Sequence, residues 1–395
     1  MGPERDAPAP AFLYGSVVTA LGTTALGTWS GGEFMGFGEP IGRERLEELL
    51  RPGRGIHTVI SADVYGEGAA DELLGRALRG LPRSSYRLVG AIGHDFYEGE
   101  RRGAKGFPRF TDPSLRGEDQ YGSYLRMAAE RSLERLGVSS FDVLLLHNPD
   151  RRGYESEAVW DAMAALRDEG LTDAIGVAPG PANGFTLDLI RCYERFGERI
   201  DWAMIILNPL EPWPGELSLD AAAAAGVDVI TRVVDYGGLF WGDLREDTPL
   251  REHDHRRFRP GDWIREGRRK IERMLPIAAA HDLTPLQLAC QWNLAHPAVR
   301  CVVPTLIQEA GAAARPIEEK RRELAGVPSE RWLADWEVAA IRRIGDNTGC
   351  MTLKGANPEH EGEEQPDSWA ISEELVEAGA RYGIDPERAL VRTAA

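Results

Sequence analysis

Long apolar runs are missing from this chain, and no stretch approaches the roughly 18 residues that a membrane-spanning helix needs. Residues 1–10 are polar and carry several prolines, without the charged-then-apolar pattern of a leader peptide. Cysteine is scarce: Cys192, Cys290, Cys301 and Cys350 are scattered, with no Cys-x-x-Cys pair and no Cys/His ligand spacing. A disulfide framework and a thiolate metal site are therefore not expected, and no metal is called for. Positive charge is in deficit, with 46 Lys and Arg against 63 Asp and Glu and a formal net charge of −17. Such a surface repels phosphate backbones and anionic membranes, so neither nucleic acid nor a membrane is an expected partner. Internal repeats and low-complexity segments are also lacking. The expectation is a soluble, cytoplasmic protein that handles a small molecule.

What is present is material for a large core, with 43% apolar residues. Strands are expected at 17–21, 58–62, 87–91, 141–146, 174–177, 202–206, 227–231 and 302–304. Helices are expected at 43–50, 69–78, 124–136, 156–168, 185–196, 217–225, 264–280 and 285–296. Apolar residues recur at intervals of three and four through 124–136, the helical period. Residues 143–146 are continuously apolar, as a parallel strand covered on both faces requires. Alternation of strand and helix implies right-handed crossovers, and eight such units favour a closed barrel over an open sheet. Three regions break the pattern: 93–120, 233–262 and 346–395. In the last, 361–366 is acidic and reads as loop. Ser372 is placed to cap a helix through Tyr382, ended by Gly383 and Pro386. Long connections after barrel strands are where function is expected.

Two segments carry a family signature. Ser61-Ala62-Asp63-Val64-Tyr65-Gly66-Glu67-Gly68, followed by Glu72-Leu73-Leu74-Gly75-Arg76-Ala77-Leu78, resembles the aldo-keto reductase stretch that holds the catalytic tyrosine. Ser132-Leu133-Glu134-Arg135-Leu136-Gly137 and then Asp142 through Asp150 resemble that family's fourth strand with its histidine, here His147. Further similarities at 159–176, 207–210 and 287–304 extend the match over most of 12–345. The resemblance implies an α/β fold, a (β/α)8 TIM barrel of aldo-keto reductase type over 1–345. It has long loops and a C-terminal extension at 346–395 that packs on the barrel. It also implies an NADPH-dependent carbonyl reductase. In that family a tyrosine protonates the carbonyl oxygen, a lysine paired with an aspartate lowers the tyrosine pKa, and a histidine orients the substrate.

Tyr65 and His147 fit, but the positions around them depart from the pattern. Ile60 stands where the family has its aspartate, and Ala91 or Ile92 where it has the lysine. Losing both charges together is coherent, because either one alone would be a buried, unpaired charge. The Tyr65 phenol is then expected near its ordinary pKa of about 10. The family's nicotinamide clamp reads Ala178-Pro179 and Met204, without a side-chain hydrogen-bond partner. Glu309 falls where it would oppose a 2′-phosphate. Arg232, Gly238 and Leu239 resemble the loop that wraps the pyrophosphate, with a plain ion pair at the barrel rim as the other reading of Arg232. The expected cofactor state is none, with NADP(H) as the alternative.

New polar residues follow the third strand. His94 is a candidate general acid or base and Asp95 its orienting partner, on a loop with Tyr97, Arg101, Arg102 and Lys105. The other reading is a solvated basic loop. Asn148 and Asp150 are expected to line the mouth, and Trp213 and Trp241 to offer stacking surfaces to substrate. His253 and His255 have metal-pair spacing but sit in a run of charges that reads as solvated loop. Three functions compete. The first is non-redox general acid/base chemistry on a small carbonyl or sugar-like compound: isomerisation, elimination or hydration. The second is an NAD(P)H-dependent reductase with a rebuilt cofactor site. The third is a ligand-binding barrel without turnover.

Overall fold

The computed structural model describes residues 20–102, 106–180, 186–259, 261–348 and 372–390. Eight short strands pair in chain order in one parallel sheet: β1 (Ala25–Gly27), β2 (Thr58–Ile60), β3 (Arg87–Ile92), β4 (Phe141–His147), β5 (Thr172–Ala178), β6 (Trp202–Ile206), β7 (Asp228–Arg232) and β8 (Val299–Val303). A bridge from Thr24 to Val302 joins the last strand to the first, and the Val302 N–H donates to the Thr23 carbonyl at 2.9 Å. Strand geometry turns alternate side chains to opposite faces. Ile60, Ala91, Leu145, Met204 and Val303 belong to the cluster inside the ring, while Val59, Ile92, Leu144, Ile205 and Val302 pack outward.

The outer layer starts with α1 (Arg43–Leu50), α2 (Ala69–Leu78), α3 (Tyr121–Leu136), α4 (Arg151–Glu155), α5 (Glu157–Asp168), α6 (Thr186–Phe196) and α7 (Leu219–Ala225). It continues with α8 (Trp263–Ala280), α9 (Pro285–Leu294), α10 (Ile317–Ala325) and α11 (Asp335–Gly345). The first strand is Ala25–Gly27 and not 17–21, of which 17–19 lie outside the described residues. Its small residues carry no strand signal, whereas Val17 and Val18 do. The last strand starts at Val299, three residues before its expected start at 302. Helices α4, α10 and α11 were not anticipated.

Beyond the barrel, α12 (Glu373–Arg381) is capped by the Ser372 side chain, which accepts from the Leu375 N–H. Gly383 at φ 72° ends that segment, and α13 (Pro386–Ala389) follows. Helix α12 lies against α6, with Arg381 paired to Glu194 at 2.6 Å. The expectations for 350–354, as a cap on the mouth, and for 361–366 lie outside the described residues. Cys192, Cys290 and Cys301 are free and buried. No described helix is long and apolar enough to cross a membrane.

Candidate active site

Alternation along β4 brings His147 inward after Val143 and Leu145, at the end of the strand. Tyr65 lies in the turn after β2, its N–H donating to the Ala62 carbonyl at 3.0 Å. The two rings meet edge to face, with centroids 5.7 Å apart and planes at 89°. Trp29 packs on the other side of Tyr65 at 6.4 Å. Around them a pocket of about 130 Å³ opens at the strands' C-terminal ends. Trp29, Met35, Phe37, Met204 and Ile206 give it apolar walls, and Asn148, Arg232, His255, Arg256 and Arg259 a polar rim. No carboxylate lines it.

Tyr65 and His147 are both neutral donors near pH 7. Burial raises the phenol above its ordinary value, and the Arg232 charge pulls it the other way. The expectation of an unshifted phenol is corrected: desolvation outweighs the cation. For His147, burial first and then Arg232 and Arg109 push the imidazole down to about 3. Its buried Nδ1 has no hydrogen-bond partner. Register also settles the lysine position, since Ala91 faces into the ring and Ile92 packs outward. Ile60 and Ala91 are both buried.

Asn148 reaches the pocket from a left-handed backbone position, φ 46°. Asp150 does not line it; its carboxylate caps α4 through the Gly153 N–H and accepts from the Thr111 hydroxyl at 2.8 Å. His94 and Asp95 stand behind the pocket wall. The His94 ring lies 5.0 Å from that of His147. Its Nε2 is 3.0 Å from Asn148 Nδ2, and its Nδ1 faces Arg109 and the Phe107 carbonyl. Burial, then Arg109 and His147, hold His94 well below its ordinary pKa. Asp95 is fully buried and paired with Arg116. Trp213 and Trp241 are buried as well. The indole of Trp213 donates to the Ala389 carbonyl at 2.6 Å and that of Trp241 to the Thr305 carbonyl at 2.9 Å, so neither offers a stacking face.

The β7 side is where sequence reasoning missed most. Arg232 makes no ion pair among the described residues. Its guanidinium crosses to the carbonyls of Pro179 and Gly180, at 3.0 and 3.2 Å, and its buried Nε has no partner. The next residue, Val233, has φ 60°. A β-branched side chain avoids that conformation, at a cost of roughly 1–3 kcal/mol. Asn208 Nδ2 and the Tyr236 N–H hold the Val233 carbonyl, each at 3.0 Å. Asp235 is fully buried, and burial raises its pKa to about 6. Its carboxylate accepts from the Gly238 N–H at 2.8 Å and the Thr305 N–H at 2.7 Å. Leu239 is core.

His253 and Arg257 are exposed, but His255, Arg256 and Arg259 are not part of a solvated loop. Arg256 is buried between Asp254 and Glu309, at 2.8 and 2.6 Å, and Arg259 pairs with Glu211 at 3.0 Å. The Asp254 carboxylate, which caps the turn at His255 and takes the Gly38 N–H, fixes the segment. The signal for this was local: an Asx cap inside a charged run, with carboxylates elsewhere to neutralise it. Among the described residues no group of three or more His, Cys, Asp or Glu could hold a metal ion.

Barrel, strand-end tyrosine and facing histidine define an enzyme of the reductase type. The profile of the Aldo/keto reductase family matches residues 21–313, and the chain belongs to that family. It is 25% identical over 283 residues to a probable aldo-keto reductase 1 of Glycine max, covering 68% of this chain and 73% of that one. It is 26% identical over 263 residues to a D-threo-aldose 1-dehydrogenase of Pseudomonas sp, covering 63% and 74%. A glycerol dehydrogenase from Gluconobacter oxydans superposes with a TM-score of 0.62 at 22% identity, over 84% of this chain and 93% of that one. An aldo/keto reductase from Klebsiella pneumoniae in complex with NADP and acetate gives 0.54 at 20% identity, over 88% and 95%.

Proposed function

We propose that this enzyme polarises the carbonyl of a small polar substrate between Tyr65 and His147 and moves protons there without a nicotinamide. The observation that carries the reading is the Asp235 carboxylate, which occupies two backbone donors, Gly238 N–H and Thr305 N–H, at the edge of the mouth. Glu309 and Asp254 add two more carboxylates against the single charge of Arg256. A pyrophosphate placed there finds the N–H groups of Gly238 and Thr305 already taken. Ala178 and Met204 leave the neighbouring pocket floor without a polar side chain. NADP(H), the cofactor the family implies, does not fit these residues.

The proton chemistry follows from the lining groups. The substrate oxygen accepts from the Tyr65 hydroxyl and from the neutral His147 N–H. Among the described residues we assign the base role to His255, the second imidazole of the lining, since the arginines hold their protons and Asn148 has none to exchange. It removes a proton from the carbon beside the carbonyl while Tyr65 passes its own proton to the oxygen, giving an enol. Return of that proton to Tyr65, with delivery from His255 to the same carbon, restores the oxo compound with its α-hydrogen exchanged or the configuration of that carbon inverted. His94 and Asp95, buried behind His147, take no part.

The test is exchange in deuterated water. A panel of small oxo compounds is incubated with the protein and no nucleotide, and deuterium uptake beside the carbonyl is followed by NMR. Uptake that Tyr65→Phe abolishes is the expected result. Conversion of the same panel only after NADPH is added would contradict it. That outcome belongs to the second reading, a carbonyl reductase, favoured by the intact Tyr65–His147 pair.

A further inference from the structure

We propose that Arg232 anchors an oxyanion of the substrate, so that the pocket takes a small oxo compound carrying a carboxylate or a phosphate. The proposal rests on Tyr65 and His147 holding the carbonyl, and it names what is held beside it.

The chain carries a net charge of −17, yet its pocket is lined by three arginines and no carboxylate. Two of the three are already neutralised: Arg256 by Asp254 and Glu309, Arg259 by Glu211. Among the described residues Arg232 meets only the carbonyls of Pro179 and Gly180, which fix its direction and leave its charge standing. A cation withdrawn from water without a counter-ion is costly, and a bound anion removes that cost. The guanidinium fork also matches an oxyanion in shape. The buried Arg232 Nε has no hydrogen-bond partner. Arg232 lines the same pocket as Tyr65 and His147, which puts the anion beside the reacting carbonyl. The backbone is bent to achieve this, since Val233 is held left-handed directly after Arg232. Asn148 adds an amide on the β4 side.

Calorimetry on the full chain separates the possibilities. One series is 2-oxo acids of three to six carbons against their methyl esters. The other is dihydroxyacetone phosphate against dihydroxyacetone. At least one anion is expected to bind about 30-fold or more tightly than its neutral partner, the scale of a charge-assisted hydrogen bond. Preference confined to the acids assigns a carboxylate, and preference confined to the phosphate assigns a phosphoester. Arg232→Gln should erase the ratio, and Arg232→Lys should retain part of it. Equal affinities within each pair, absence of binding across both series, or a preference that survives Arg232→Gln would overturn the proposal. If Arg232→Gln fails to fold, the wild-type ratio and Arg232→Lys decide. NADPH-dependent turnover of a preferred anion would end the nucleotide-free reading and leave the anchor standing.

Discussion

The β2–β4 side of the barrel mouth and its β7–β8 side handle charge in opposite ways. On the first, Ile60 and Ala91 are apolar, and Tyr65 and His147 are kept neutral by burial. On the second, charge is concentrated: Arg232 without a counter-ion among the described residues, Arg256 locked between two carboxylates, and Asp235 buried on backbone donors. A phenol and an imidazole beside apolar neighbours are thus held in their neutral forms, with desolvation outweighing the charge of Arg232 on the phenol.

The largest effect expected on this contrast comes from the neutral side. Tyr65→Phe should lower turnover by about 10²–10⁴-fold with little change in KM, read from steady-state kinetics in the exchange assay. Next comes the charged side. Arg256→Met leaves Asp254 and Glu309 buried without their cation, and urea unfolding should show a loss of about 3–5 kcal/mol. Arg45→Ala, which breaks the exposed pair with Glu318, should cost less than about 1 kcal/mol.

The two sides should also titrate in opposite senses. His147 has a folded pKa near 3, below its unfolded value. Its stabilising contribution is present above about pH 6.5 and is lost as pH falls towards 3, by up to about 1.4 kcal/mol per unit. Asp235 has a folded pKa of about 6, above its unfolded value. Its contribution is complete below about pH 4 and is lost as pH rises through 6. Unfolding free energies of wild type, His147→Asn and Asp235→Asn across pH 4–7 should differ with slopes of opposite sign, and slopes of one sign would break the contrast. The smallest effect is expected from His94→Phe, which should leave turnover within a few-fold of wild type, whereas His255→Phe should not.

The barrel was legible because its period is simple: most strands and helices from 43 to 294 begin and end within a few residues of expectation. The first strand was not, because Ala25, Leu26 and Gly27 gain their strand identity from β2 and β8, not from their own propensity. That Tyr65 and His147 stand side by side was legible from motif and register. His94 and Asp95 follow a strand end, but adjacency to it says nothing about which face a side chain takes. Asp95 is turned to Arg116 and away from the mouth. His255 and Arg256 were hidden in a charged run whose partners, Gly36 and Glu309, lie far away in sequence. Arg232 was seen, but its lack of a counter-ion is a property of the assembled ring.

Nicotinamide fluorescence during titration with NADPH tests the rebuilt mouth most directly. Each misplaced polar contact removes roughly 1–3 kcal/mol, and several together move binding from micromolar to millimolar. No saturable signal below about 1 mM is the expected result. Saturation in the micromolar range would show that the carboxylates of Asp235 and Glu309 yield to a pyrophosphate, and the nucleotide-free chemistry would fall with it.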